Sequence, residues 1–181
     1  MKIYFSMEDI KQNIGKTILL FAALILAVVG LVYVFNQNPH RQLQQDVFTS
    51  AAKIRNYYRD RPGYWQLSTS TAKEDNLLSE SLLQYKEYDV QVGQGTDGET
   101  GLPSDKSFNI VLKHLNKSAC INLSELPIDN DAKLILQSLT VINNNDSVTY
   151  SWGGENPLPI VRYSMRNICD TSENIIVWTF H

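Results

Sequence analysis

The sequence predicts an α+β fold in which one long N-terminal helix packs on an antiparallel sheet. Three observations point there. An apolar run at 18–35 passes into a stretch with helical spacing. The second half of the chain alternates apolar and polar residues over short segments, and turn-forming clusters separate those segments.

Of the 181 residues, 43% are hydrophobic, enough for a packed core and too many for a disordered chain. The formal charge of −3 leaves no basic excess for a broad phosphate-neutralising surface, which argues against general nucleic-acid binding. Two cysteines are too few for a disulfide scaffold or a Cys-only zinc site.

Ile18 to Phe35 reads ILLFAALILAVVGLVYVF, 18 residues without a charged, amide or Ser/Thr side chain. As a helix it extends about 27 Å, close to the roughly 30 Å hydrocarbon core of a bilayer. A buried core helix rarely runs this far without a polar position. A cleaved secretory signal would have a shorter apolar region and a small-x-small site after it, whereas Val34-Phe35-Asn36-Gln37-Asn38 follows here. The expectation is a retained single-pass anchor. Lys16 lies closer to the span than Arg41 does, which favours the N-terminus inside. The predicted organisation is a cytoplasmic leader or tail at 1–17, a transmembrane helix at 18–35 and a periplasmic or extracellular globular domain at 36–181. That domain carries 13 Lys/Arg against 17 Asp/Glu.

Within the domain, Leu43, Val47, Ala51, Ile54 and Tyr58 recur at helical spacing, with Gln44, Gln45, Thr49, Lys53 and Asn56 between them. Arg61-Pro62-Gly63 stops this helix. Thr71-x-x-Glu74 matches a capping box ahead of a second helix from Ala72 to about Leu83. Tyr85 to Val92 reads as a strand and 93–103 as an exposed Gly-rich loop. Phe108, Ile110 and Leu112 share one strand face. A short helix is expected over 116–126. Asn143-Asn144-Asn145-Asp146 marks a hairpin turn between 139–142 and 148–152. Ile176, Trp178 and Phe180 share one face of a final strand.

Cys120 and Cys169 are either two buried thiols or one bridge, and an oxidising exterior compartment favours the bridge. Nothing argues for an enzyme, and no metal or cofactor is expected. His40, His114 and His181 are scattered, and a Cys120–His114 nucleophile would lose its thiolate to a disulfide. Gly93-x-Gly95 lacks the rest of a phosphate loop. Glu74-Asp75, Glu87-x-Asp89 and Asp129-x-Asp131 read as solvated surface charge. Loop 93–103 and the run Tyr57 to Trp65 are the exposed candidates for contacts, against the simpler reading as a loop and an edge packing cluster.

A polar leader ending in Gly, an apolar helix continuing as an amphipathic one, a β-rich head and two cysteines enclosing the C-terminal region together resemble type IV pilins. The similarity is greatest to the type IVb branch, which includes toxin-coregulated and conjugative thin pilins. The residues that carry it are Gly15 to Leu20 (GKTILL), Leu43 to Tyr58 with Pro62-Gly63-Tyr64, Phe108-x-Ile110, Ala119 to Leu123 (ACINL) and Cys169 to Phe180 (CDTSENIIVWTF). The resemblance implies cleavage by a membrane peptidase after Gly15, with Lys16 as the first mature residue. It implies other pilin-like subunits or secretion-apparatus proteins as partners. It also implies an inner-membrane location with the head in the periplasm, before assembly into a surface filament.

Two positions depart from the family pattern. Lys16 stands where Met, Leu, Val or Phe is usual, and Leu20 stands where the family carries Glu. That Glu pairs with a neighbouring subunit's N-terminus. Its absence shifts the expectation from a bulk filament subunit to a minor or initiating pilin-like one. The alternative expectation is an uncleaved single-pass component of a secretion system, acting as a docking module.

Overall fold

The computed structural model describes residues 21, 23–27, 39–96, 103–125, 134–169 and 173–181. The chain divides into two units, Met1–Pro39 and His40–His181. In the first, residues 23–27 are helical, and Phe21, Leu24, Ile25 and Leu26 are exposed. The rest of the predicted 18–35 span, with Gly15, Lys16 and Leu20, lies outside the described residues. Among the described residues no helix is long and apolar enough to cross a membrane.

Helix α1 (Pro39–Tyr58) starts on a proline, whose fixed φ suits a first turn that needs no N–H bond. Its predicted stripe is buried: Leu43, Val47, Ala51, Ile54 and Tyr58 are at most 5% exposed. Each large apolar side chain in it contributes about 1.5–3 kcal/mol by leaving water. Gln44, expected among the solvent-facing residues, is instead buried. Its Nε2 donates to the carbonyls of Leu123 (3.0 Å) and Glu125 (3.0 Å). The amide is tolerated inside because it satisfies carbonyls at a helix end that have no intrahelical donor. Gln44→Ala is expected to destabilise by about 1–3 kcal/mol, because both carbonyls stay buried without a donor. A urea titration followed by circular dichroism measures this, and a loss under 0.5 kcal/mol would contradict it (about the scatter of a surface substitution).

The expected helix 72–83 is two short helices, α2 (Thr69–Glu74) and α3 (Glu80–Gln84). Ser68, not Thr71, caps α2, accepting a hydrogen bond from the Thr71 amide. Asn76 ends α2 at φ 55°, a left-handed conformation that Asn tolerates. There the Asn76 amide donates to Lys73 O and the Leu77 amide to Ala72 O, a Schellman closure with buried Ala72 and Leu77 beside it. Ser79 caps α3 through the Leu82 amide, and its own amide donates to Ser50 Oγ on α1 at 2.9 Å. The Leu spacing was compatible with one helix, but two cap signals divide it.

The sheet has five strands: β1 (Asp89–Thr96), β2 (Pro103–Leu115), β3 (Leu136–Ile142), β4 (Ser147–Ser151) and β5 (Asn174–Phe180). Strand order is β1-β2-β5-β3-β4, with all four pairings between these strands antiparallel. The last strand therefore fills the centre, between two sequence-local hairpins. Val92, Ile110, Trp178, Leu139 and Tyr150 form one cross-strand row on the buried face; Phe108, Phe180 and Leu136 form another. Phe48 of α1 meets the Phe180 ring edge-on at 5.6 Å, which seats the helix on that face.

Residues 93–96 and 103 belong to β1 and β2 rather than to the expected loop, whose remaining residues lie outside those described. The ladder shifts between Gln94↔Phe108 and Gly95↔Ser104, leaving 105–107 as a bulge. The hairpin turn falls where the Asn-rich run placed it. Asn143 Oδ1 accepts from the Asn145 and Asp146 amides, and its Nδ2 donates to Ile168 O at 2.7 Å.

Candidate interaction surface

Two regions outside the sheet gather chemistry. The first is the segment between the cysteines. Asn116 caps α4 (Lys117–Ser124) through the Ala119 amide, and α4 presents Cys120 inward. Cys169 follows α5 (Arg162–Ile168), a helix the sequence reading missed. Only Met165 of α5 is buried, so no apolar stripe announces it, and no side chain caps its start. Tertiary ties hold it in place. Cys120 and Cys169 form a disulfide with Cα atoms 5.8 Å apart. Arg162 reaches Glu125 at 2.9 Å and Asn122 at 3.2 Å. Both charged partners are partly exposed, so the ion pair contributes about 0–1 kcal/mol and the bridge dominates. Val161 and Tyr163 remain exposed on this segment.

The second region lies where α1 ends. Gly63 approaches the β2 bulge so closely that an added Cβ would sit 2.6 Å from Asp105 O. The Tyr64 amide donates to that same oxygen at 3.0 Å. The turn is thereby pressed against the bulge, and Tyr64 packs on Phe108 with centroids 4.7 Å apart. In the run Tyr57 to Trp65 the tyrosines form a packing cluster, Tyr58 and Tyr64 buried and Tyr57 half-buried, whereas Arg59, Asp60, Arg61, Pro62 and Trp65 are exposed. Burial pushes the Tyr58 and Tyr64 phenols above their ordinary pKa. Nearby Arg61 and Arg55 respectively pull them partway back. The convergence of Arg55, Arg59, Arg61 and Lys106 around this turn was not visible in sequence, because Lys106 arrives from the bulge.

The other singled-out residues do not assemble into a catalytic constellation among those described. His114 is exposed at φ 61° and sits 3.0 Å from Glu173, while its supposed partner Cys120 is locked in the bridge. Gly93 and Gly95 lie within β1. Asp89 is 4.0 Å from Lys113 on the neighbouring strand. Glu74 ends α2, and Asp129 and Asp131 fall outside the described residues. Burial lowers the pKa of His40, against an opposing pull from Glu87.

A helix laid along one face of an antiparallel sheet, with the final strand inserted centrally and a disulfide closing the segment before it, is a pilin-like architecture. The crystal structure of TcpA, a type IV pilin from Vibrio cholerae El Tor biotype, shares it at a TM-score of 0.55. That match covers 77% of this chain and 97% of TcpA at 8% sequence identity. At that identity the likeness is one of fold. No family model matches the chain, and no curated protein matches it.

Proposed function

We propose that this chain is a non-enzymatic structural subunit of a type IVb pilus or a related secretion or conjugation apparatus. The observation that carries the reading is the helix-on-sheet fold shared with a type IV pilin, on a chain whose sequence places an 18-residue apolar run ahead of that helix. The apolar helix serves twice, as a membrane anchor before assembly and as a packing helix in the filament core. Other pilin-like subunits are the partners, and the head faces the periplasm, where the Cys120–Cys169 bridge is stable. Leu20, where the family places Glu, supports a minor or initiating role. A subunit without that carboxylate has no charge to pair with its neighbour's N-terminus, and so lacks one device for setting register.

The test is the intact mass of the membrane-extracted protein, alkylated without reduction. Loss of residues 1–15, with or without an added methyl, is the expected result, and the Lys16 amine becomes the new N-terminus. A full-length mass would overturn the processed-subunit reading. It would favour the uncleaved docking component, which Lys16 at the first mature position also favours. Long homopolymeric filaments from the purified chain alone would overturn the minor role.

A further inference from the structure

The last turn of α1 carries Arg55, the turn after it carries Arg59 and Arg61, and the β2 bulge brings Lys106, together with Asp105, to the same groove of about 500 Å³. Among the described residues none of these four cations lies within 4.0 Å of a carboxylate. Two are oriented in advance. The Arg61 guanidinium stacks 4.0 Å from the Tyr57 ring centroid, and Arg59 Nη2 donates to Asn56 Oδ1 at 2.5 Å. A helix C-terminus attracts cations through its dipole, but that effect fades within one turn and does not account for Lys106 from another strand. A second groove of about 270 Å³ shares Tyr58, Arg61, Pro62 and Gly63 with the first, and Trp65, 57% exposed, lines the second. A large exposed indole beside a cluster of unpaired guanidinium groups resembles a ligand site more than a solvated surface.

We propose that this double groove binds an acidic saccharide, with its carboxylate held by Arg55, Arg59, Arg61 and Lys106 and a sugar ring stacked on Trp65. Guanidinium groups match a carboxylate bidentately, and an aromatic face accepts the apolar face of a pyranose. A short acidic ligand fits better than a nucleic acid. Outside these four cations the 36–181 domain has only nine Lys/Arg against 17 Asp/Glu, so a long polyanion would be repelled beyond the groove.

The experiment is tryptophan fluorescence of the full chain in detergent micelles, titrated with sialyllactose, digalacturonate, lactose and oligothymidylate. At least one acidic saccharide is expected to quench saturably, with lactose at least about tenfold weaker, the size of one lost charge-assisted contact. Trp65→Phe should abolish most of the quench. Arg61→Gln and Lys106→Gln should each weaken binding about tenfold at unchanged melting temperature, while Arg61→Lys recovers only part of it. Equal binding of lactose, binding of neither acidic sugar, or tighter binding of oligothymidylate would each overturn the proposal. A melting temperature lowered by Arg61→Gln moves the decision to Lys106→Gln, which lies on a bulge outside the ladder.

Discussion

Removing the disulfide by Cys120→Ser with Cys169→Ser is expected to destabilise the domain by about 4 kcal/mol, as the chain-entropy model gives for a loop of this size. The cysteines are 49 positions apart, and the loop they close contains β3, β4 and α5. Without the bridge the unfolded chain gains the freedom of that whole loop. Helix α5 would lose most of what holds it, since it has one buried side chain and no N-terminal side-chain cap. The Asn143–Ile168 bond that joins the β3–β4 turn to α5 would weaken with it. Denaturant midpoints of the native and doubly substituted proteins measure the effect. A difference under about 1 kcal/mol would mean that the bridge decorates a segment already held by packing. In the native protein, reduction should reproduce the loss, and proteolysis should begin near exposed Tyr163.

Trp178→Ala should cost about 4 kcal/mol, within the 3–5 found for large aromatic truncations in cores. Trp178 is fully buried in the central strand, flanked by Ile110 on β2 and Leu139 on β3. Its removal would open a void where both hairpins meet, and close packing leaves the neighbouring core side chains little freedom to fill it. Trp178→Phe should cost markedly less. It keeps an aromatic ring there and removes a buried indole N–H that has no hydrogen-bond partner among the described residues. Thermal and urea unfolding of the two variants give the ordering. A phenylalanine variant as unstable as the alanine one would show that shape, rather than burial, governs this position.

Both effects bear on function through the same element. Strand β5 joins the two hairpins into one sheet, and the bridge closes immediately before it. A head that loses either should separate into β1–β2 and β3–β4 pairs, and an isolated hairpin is marginal in water. In the proposed role, such a subunit would be degraded before incorporation. Steady-state level in the membrane is therefore the cellular readout to compare with filament number.

What the sequence alone determined here is local. The stripe Leu43–Val47–Ala51–Ile54–Tyr58, the alternation of Ile176, Trp178 and Phe180, and the Asn143–Asp146 turn each report the periodicity or dihedral preference of a few neighbouring residues. Such preferences act within one turn or one strand, so they are legible without knowing what lies opposite. The bridge was legible for a different reason, since two cysteines in a domain expected to face an oxidising compartment have few alternatives. Tertiary structure decided the rest. Local pattern cannot say that β5 pairs with β2 and β3 rather than lying at an edge, because both placements bury the same alternate face. Gln44 looked solvent-facing until α4 supplied two carbonyls for its amide. Helix α5 has too little apolar surface to signal itself and exists where a disulfide and an arginine hold it. The cationic groove joins residues from a helix end and a strand bulge that are distant in sequence, and only their packing gives the charges a common site.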